Sequence, residues 1–309
     1  MQHIAAVVVT YNRRDLLAEC IACLRAQKGA SCDILVVNNA STDGTDRLLR
    51  QLAGPDLKVH TTGQNLGGAG GFSLGVDLAV RAGYDAVWIM DDDTLPQPGA
   101  LAALLDAAYD LPEFGWLSSR AVDRQGNDQP MNRQRRTPYR DIAGYDVPGG
   151  LPIPSVMASF VSLFVPADVV RRFGLPIAEF FIWSDDWEYT RRISRSLPCY
   201  TVSQSVVIHA MKQSSIVNIA RDTPDRLPRY SYFYRNDVPL YRREGAAGWL
   251  WLLFKDAWHT AQVLFGRCPG KAERIGIIWR GFVQGIRFRP AIRFPKSNAP
   301  AGAGKDNAL

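Results

Sequence analysis

Three consecutive carboxylates, Asp91, Asp92 and Asp93, stand directly after the apolar run Val87-Trp88-Ile89-Met90. Adjacent carboxylates repel one another unless a hard cation or solvent offsets their charge, and oxygen ligands at this density suit Mg²⁺ or Mn²⁺. A solvated acidic turn is the plainer alternative. A second acidic cluster, Trp183-Ser184-Asp185-Asp186-Trp187-Glu188-Tyr189, sets Asp186 between two tryptophans. Apolar neighbours raise a carboxylate's pKa and make it a better proton acceptor, as a general base must be. Ser184 as a helix N-cap, with Asp185 and Glu188 in the first turn, is the structural explanation competing with that chemistry. His209 ends the apolar run that begins at Ser205, and an imidazole there can complete a mixed oxygen and nitrogen metal site.

The elements around these residues read as alternating strands and helices. Ile4 to Thr10, Asp33 to Asn38, Leu57 to Thr61 and Val87 to Met90 are short, apolar and rich in β-branched residues, as buried parallel strands are. Helices are expected from Asp15 to Gln27, after Thr45, up to Ala82 and from Pro98 to Ala108. This order implies right-handed parallel crossovers and puts the aspartates at a carboxyl edge of the sheet, where open α/β sheets bind ligands. Thr94-Leu95-Pro96 is expected to stop the fourth strand. The stretch Asn65-Leu66-Gly67-Gly68-Ala69-Gly70-Gly71-Phe72 follows the third strand and lacks the spacing of a dinucleotide fingerprint. Its glycines, expected ahead of a helix, allow a ligand to approach the backbone and leave amides to face an anion; a tight turn packed on the sheet is the alternative. Residues 123–154 read as a long loop whose basic cluster, Arg133, Arg135, Arg136 and Arg140, can lie over an anionic acceptor.

The chain of 309 residues carries a formal charge of +6, with the basic residues gathered in its second half. Such patches suit an anionic membrane surface or a phosphorylated substrate; no nucleic-acid module with interleaved aromatics is present, so nucleic acid is not an expected partner. Five cysteines without framework spacing argue for a reducing compartment, and Cys20 and Cys23 fall on a helix with no second pair to complete a zinc site. No apolar stretch reaches the roughly 20 residues of a membrane span. Tyr230 to Arg243, Trp249 to Phe265 and Ile275 to Phe288 read as aromatic and basic helices. A bilayer interface, packing on the main domain and a homo-oligomer contact are the alternatives for them. The expected organisation is a nucleotide-binding and catalytic domain over residues 1–228, a helical extension over 229–294 and a disordered tail from Pro295 to Leu309. The expected location is cytoplasmic, peripheral on the inner face of the plasma membrane.

The segments VVVTYNR (7–13), VVNNASTDGT (36–45), NLGGAGGF (65–72), MDDD (90–93), FIWSDDWEY (181–189) and IHA ending at 210 occur in this order. Together they resemble the family 2 glycosyltransferases of GT-A fold, in the branch of bacterial galactofuranosyltransferases and rhamnosyltransferases. The resemblance covers about Ala5 to Asn236. It implies an α/β fold with a Rossmann-like, mostly parallel sheet flanked by helices. It implies donor contacts from Thr10, Tyr11, Arg13, Asn39, Asn65, Gly67, Gly68, Asp91 and Asp92. Asn38-Asn39 departs from the acidic residue usual in that turn. Asp91, Asp93 and His209 are implied as ligands of Mn²⁺ or Mg²⁺, Asp186 as general base, and Trp183 and Asp185 as acceptor contacts. The reaction implied is inverting transfer of a sugar, galactofuranose from UDP-galactofuranose or rhamnose from dTDP-rhamnose, to a hydroxyl of a glycan or lipid-linked glycan. A nucleotidyltransferase also offers aspartates to Mg²⁺, but normally has a glycine-rich basic loop after its first strand, and TYNRRD has no glycine. A non-catalytic glycan- or nucleotide-binding protein is the third alternative, disfavoured by the two acidic clusters and His209.

Overall fold

A computed structural model describes residues 1, 3–211 and 217–296. Strand β1 (Ile4–Thr10) leads through Asn12 into α1 (Arg14–Arg25), followed by β2 (Asp33–Asn38), α2 (Thr45–Gln51) and β3 (Leu57–Thr61). Helix α3 (Gly67–Arg81), β4 (Ala86–Asp91), β5 (Thr94–Pro96), α4 (Ala100–Asp110) and β6 (Leu117–Val122) come next. The chain continues through β7 (Arg135–Thr137), β8 (Arg140–Asp141), β9 (Ile153–Pro154), β10 (Leu163–Pro166), α5 (Ala167–Phe173), α6 (Asp185–Ser194) and β11 (Tyr200–His209). Three long helices close it: α7 (Leu227–Tyr241), α8 (Gly245–Phe265) and α9 (Lys271–Arg287).

The main sheet has the order β3-β2-β1-β4-β10-β6-β11-β5, with β9 beside β11. Its first four strands are parallel, as the alternation of strands and helices requires. Beyond them β10 runs against β4 and β6, while β6 and β11 are parallel. The sheet is buried on both faces: Ala5, Val7 and Val9 of β1 pack with Phe72, Val76 and Ala79 of α3, and Ile4, Ala6 and Val8 pack with Leu17, Cys20 and Ile21 of α1. The expected α/β fold is therefore the one observed.

Local details depart from expectation. Thr94-Leu95-Pro96 is strand β5, paired antiparallel with the end of β11, so that His209 stands opposite Thr94. The glycines of this stretch lie inside α3 rather than ahead of it, and Gly71, with Gly75 one turn further on, lets that helix lie against the sheet. A Cβ at Gly71 would come within 2.5 Å of Val9 Cγ1, and one at Gly75 within 2.5 Å of Val7 Cγ1. Residues 123–154 contain the β7/β8 hairpin and β9, with Asn132, Gln134, Ile142 and Tyr145 buried. The division expected at residue 228 falls within the first turn of α7, and the segment after α9 returns to the main domain. There Phe288 packs on Phe180 at 5.8 Å between ring centroids, and the Leu175 amide donates to Arg293 O at 2.7 Å. Of the tail expected to be disordered, 295–309, residues 297–309 lie outside the described residues, and the Lys296 amide donates to Asp77 Oδ1 at 3.4 Å.

Candidate active site

The first acidic cluster is built by a turn between two strands of different partners. Asp91 ends β4, Asp92 and Asp93 form the turn, and β5 then pairs with the last residues of β11. The Ala210 amide extends this pairing by donating to Asp93 O at 2.8 Å. Asp91, Asp93 and His209 consequently offer ligand atoms that all lie within 4.8 Å of one another.

The donor chemistry of this cluster fits a cation. His209 is buried, and its Nδ1 lies 2.7 Å from Asn132 Oδ1, whose own amide nitrogen donates to Ser159 Oγ. An amide oxygen accepts, so Nδ1 carries a proton and Nε2 is the ring nitrogen left to face a ligand. Nε2 lies 3.2 Å from Asp93 Oδ1, a buried carboxylate oxygen. A proton or a cation must lie between two such acceptors, and oxygen and imidazole donors suit Mn²⁺ or Mg²⁺. The Arg13 guanidinium binds the other oxygen of Asp93 and lies 3.3 Å from Asp92 Oδ1. Burial raises Asp93, but His209 and Arg13 outweigh it and hold its carboxyl below the ordinary range. Asp91 is pushed up to about 7 by burial and next by the charge of Asp93. Asp92 is raised to about 6 by burial, with Arg13 opposing.

The second acidic cluster is delivered by a distorted loop. Phe181, Trp183 and Ser184 have φ of 66°, 65° and 65°, and α6 begins immediately after them. Ser184 makes no side-chain cap to that helix; its hydroxyl donates to Asp237 Oδ1 of α7 at 2.7 Å, which corrects the capping expectation. Glu188 is buried and paired with Arg192 and Arg243, so its charge is spent on structure. Asp185 is 7% exposed and raised to about 6, chiefly by burial. Burial, then the charge of Asp185, raises Asp186 well above the carboxylate range, and Asp91 is near enough to raise it further. Asp186 Oδ1 accepts from the Trp187 amide at 2.7 Å. The two clusters thus lie close enough to interact electrostatically.

The remaining sequence-predicted residues divide into two groups. Thr10 is buried at the end of β1, whereas Tyr11 and Arg13 beyond it are exposed. Asn39 is buried, and its amide is fully engaged: Nδ2 donates to Asn65 Oδ1 and Gly67 O, both at 3.0 Å, and Oδ1 accepts from the Leu66 amide at 2.8 Å. It holds the turn before α3 and offers nothing to a base. Asn65 Oδ1 also takes the Gly67 amide at 2.8 Å, and the Ala69 amide donates to Phe181 O at 3.1 Å. These amides are therefore not left facing an anion, a second correction to the glycine-rich reading, and Gly68 is the second residue of the helix they lead into. Trp183 is half-buried against Tyr230 and Phe233, with centroids 5.1 and 6.0 Å away.

In the basic cluster, Arg135 lies 4.4 Å over the Trp187 ring and donates to the Tyr241 hydroxyl at 2.7 Å, so it packs against the α6 loop instead of covering an acceptor. Asn132, Asn236 and Asp237 were not marked by their sequence, and Arg135 was marked only as a member of the basic cluster. Each acts over a separation of 50 residues or more, between segments with no shared periodicity. Cys20 is buried on α1, and all five cysteines are free.

The family model described as glycosyl transferase family 2 matches residues 5–161. The galactofuranosyltransferase GlfT1 of Mycobacterium tuberculosis is 34% identical over 221 residues, covering 67% of this chain and 70% of its own. GlfT1 of Mycolicibacterium smegmatis is 29% identical, over 81% of this chain and 88% of its own. The N-acetylglucosaminyl-diphospho-decaprenol L-rhamnosyltransferase of M. tuberculosis is 32% identical over 41% of this chain and 44% of its own. Among solved structures, the fold is similar to that of a mannosyltransferase from Pyrobaculum calidifontis in complex with GDP-Man and Mn²⁺. That match has a TM-score of 0.55 and 17% identity, over 93% of this chain and 76% of the other. With its mixed sheet, its acidic edge and these relatives, the chain belongs to glycosyl transferase family 2 and is a glycosyltransferase of GT-A fold.

Proposed function

We propose that the chain moves galactofuranose from UDP-galactofuranose to a hydroxyl of a glycan or lipid-linked glycan, with inversion and with Mn²⁺ or Mg²⁺. The observation that carries this reading is the gathering of His209 Nε2, Asp93 and Asp91 within ligand distance of one another, near enough to Asp186 to raise it. A divalent ion held by Asp91, Asp93 and His209 would neutralise the diphosphate as it leaves. Asp186 accepts the proton of the acceptor hydroxyl while its oxygen bonds to the anomeric carbon and the bond to UDP breaks. One displacement with base and leaving group on opposite sides inverts the anomeric centre. Its raised pKa gives Asp186 a stronger pull on that proton than an ordinary carboxylate has, and Arg13 keeps Asp92 and Asp93 charged and fixed. Tyr11 and Arg13 are assigned to the nucleotide side, and Trp183 and Asp185 to the acceptor side.

The two GlfT1 relatives favour galactofuranose as the donor sugar, and the rhamnosyltransferase relative makes dTDP-rhamnose the second reading. Incubation with UDP-galactofuranose or dTDP-rhamnose, Mn²⁺ and membrane lipid extract decides between them. UDP release coupled to labelled product supports the first, dTDP release the second, and pyrophosphate release would instead indicate a nucleotidyltransferase.

We further assign the C-terminal helices to the surface of an anionic bilayer. No helix among the described residues is long and apolar enough to cross a membrane. Yet Leu250, Leu253, Phe254, Trp258, Leu264 and Phe265 lie exposed along α8, whereas its two charged residues, Lys255 and Asp256, point inward. Exposed Arg267, Lys271, Arg280 and Arg287 flank this apolar face and match anionic headgroups. The five free cysteines fit the reducing, cytoplasmic side of such a membrane.

A further inference from the structure

The loop that carries Asp186 is held in an unfavourable conformation by residues far along the chain. Left-handed backbone at three residues other than glycine, Phe181, Trp183 and Ser184, persists only where the surroundings impose it. The surroundings here are two consecutive residues of α7. Asn236 Nδ2 donates to the carbonyl oxygens of Phe180, Ile182 and Trp183 at 2.9, 3.0 and 3.0 Å. Asp237 Oδ1 accepts from the Ser184 hydroxyl at 2.7 Å, one residue before Asp185.

Asp237 is itself buried, and a buried carboxylate remains an ionised acceptor only when paired. Lys255 of α8 supplies the pair. Its ammonium binds Asp237 Oδ2, lies 3.3 Å from Asp256 Oδ1, and sits over the rings of Phe233 and Tyr234 at 4.6 and 5.2 Å. A core ion pair needed only for packing would have no reason to present its free oxygen to the hydroxyl of a strained residue beside the acidic cluster.

We propose that Asp237, backed by Lys255, is a positioning residue for the transfer reaction, which through Ser184 fixes the left-handed backbone that aims Asp186 into the cleft. This rests on the reading of Asp186 as the base. It extends the working site onto the C-terminal helices.

The test uses the full chain with Ser184→Ala and Ser184→Gly. Alanine loses the hydroxyl and keeps the backbone strain, whereas glycine loses the hydroxyl and adopts the left-handed conformation without it. Misplacing a catalytic group by about 1 Å costs on the order of 10²-fold, so Ser184→Ala is expected to lower kcat by up to that factor. Mn²⁺ and UDP affinities should stay within about twofold, because Asp91, Asp93 and His209 are untouched. Ser184→Gly should recover most of the loss. Asp237→Leu, which removes the acceptor and leaves Lys255 paired with Asp256, should resemble Ser184→Ala. Wild-type kcat in Ser184→Ala would overturn the proposal, and so would equal loss in the alanine and glycine variants, since the hydroxyl would then act on substrate directly. If the wild-type chain transfers no sugar, the ¹⁹F resonance of 5-fluorotryptophan at Trp183, assigned with Trp183→Phe, still decides. A shift in Ser184→Ala that reverts in Ser184→Gly keeps the positioning role while the transfer reading falls, and an unmoved resonance rejects the positioning role as well.

Discussion

The two carboxylate oxygens of Asp93 do different things, since one is tied to Arg13 and the other faces Nε2 of His209, the ring nitrogen not held by Asn132. Asn132 determines which nitrogen that is. Asn132→Leu should therefore weaken Mn²⁺ binding by about 10- to 100-fold, the usual cost of losing an outer partner of a metal-bound histidine, and titration calorimetry measures it. Asp93→Ala should abolish Mn²⁺ binding and the metal-dependent part of UDP binding together; undiminished Mn²⁺ affinity would remove Asp93 from the ligands. Asp185 carries a pH signature. Its folded pKa is raised from the ordinary 3.8 to about 6, so the folded state binds more protons than the unfolded one between those values. Stability is then lost as pH rises through that window, by at most ~3 kcal/mol. Asp185→Asn should raise Tm relative to wild type at pH 8, and the gain should vanish near pH 4. The types of these residues were legible in the sequence because carboxylates beside a buried strand or between tryptophans have few structural uses. Asn132 and Asp237 were not, since an asparagine in an irregular segment and an aspartate in a helix carry no mark of their distant partners.

At the scale of elements, the first four strands were readable because a strand covered on both faces must be apolar throughout. Strand β5 stands where a terminator is expected. Proline is compatible with an edge strand, and here β5 lies at the edge of the sheet, where Pro96 needs no further partner. That short pairing is what brings Asp93 to His209. The glycine-rich stretch matters to the site, but for a different physical reason from the expected one. Gly71 and Gly75 allow α3 to contact β1, and Gly67, with φ of 72°, sits where a Cβ would fall 2.1 Å from Phe181 O. Gly67→Ala should therefore push on the loop that carries Asp186. We expect destabilisation of roughly 1–3 kcal/mol in urea unfolding and a fall in kcat larger than that of Gly63→Ala, where no atom lies within 4 Å of the added carbon.

Over the whole molecule, the C-terminal helices are both a support for the catalytic loop and an apolar outer face. Arg235, Asn236 and Asp237 of α7 bond to Glu179, Phe180, Ile182, Trp183 and Ser184, while α8 turns Leu250, Phe254, Trp258 and Phe265 outward. Sequence alone could identify these helices as aromatic and basic. It could not say which side chains face in, because Lys255 and Asp256 break the usual rule that charges face solvent, and only their pairing with Asp237 and each other explains it. The double variant Phe254→Glu/Trp258→Glu should lose co-sedimentation with phosphatidylglycerol vesicles and keep UDP binding. Unaltered sedimentation would count against the bilayer assignment.

The most direct test of a shared cleft is turnover of UDP-galactofuranose with Mn²⁺ by Asp186→Asn, with UDP affinity measured on the same preparation. General-base catalysis contributes about 10²- to 10⁴-fold, so UDP release should fall by that range while UDP and Mn²⁺ bind as in wild type. Full turnover in this variant, or loss of Mn²⁺-dependent UDP binding along with activity, would contradict the division of labour between Asp186 and the Asp91, Asp93 and His209 cluster.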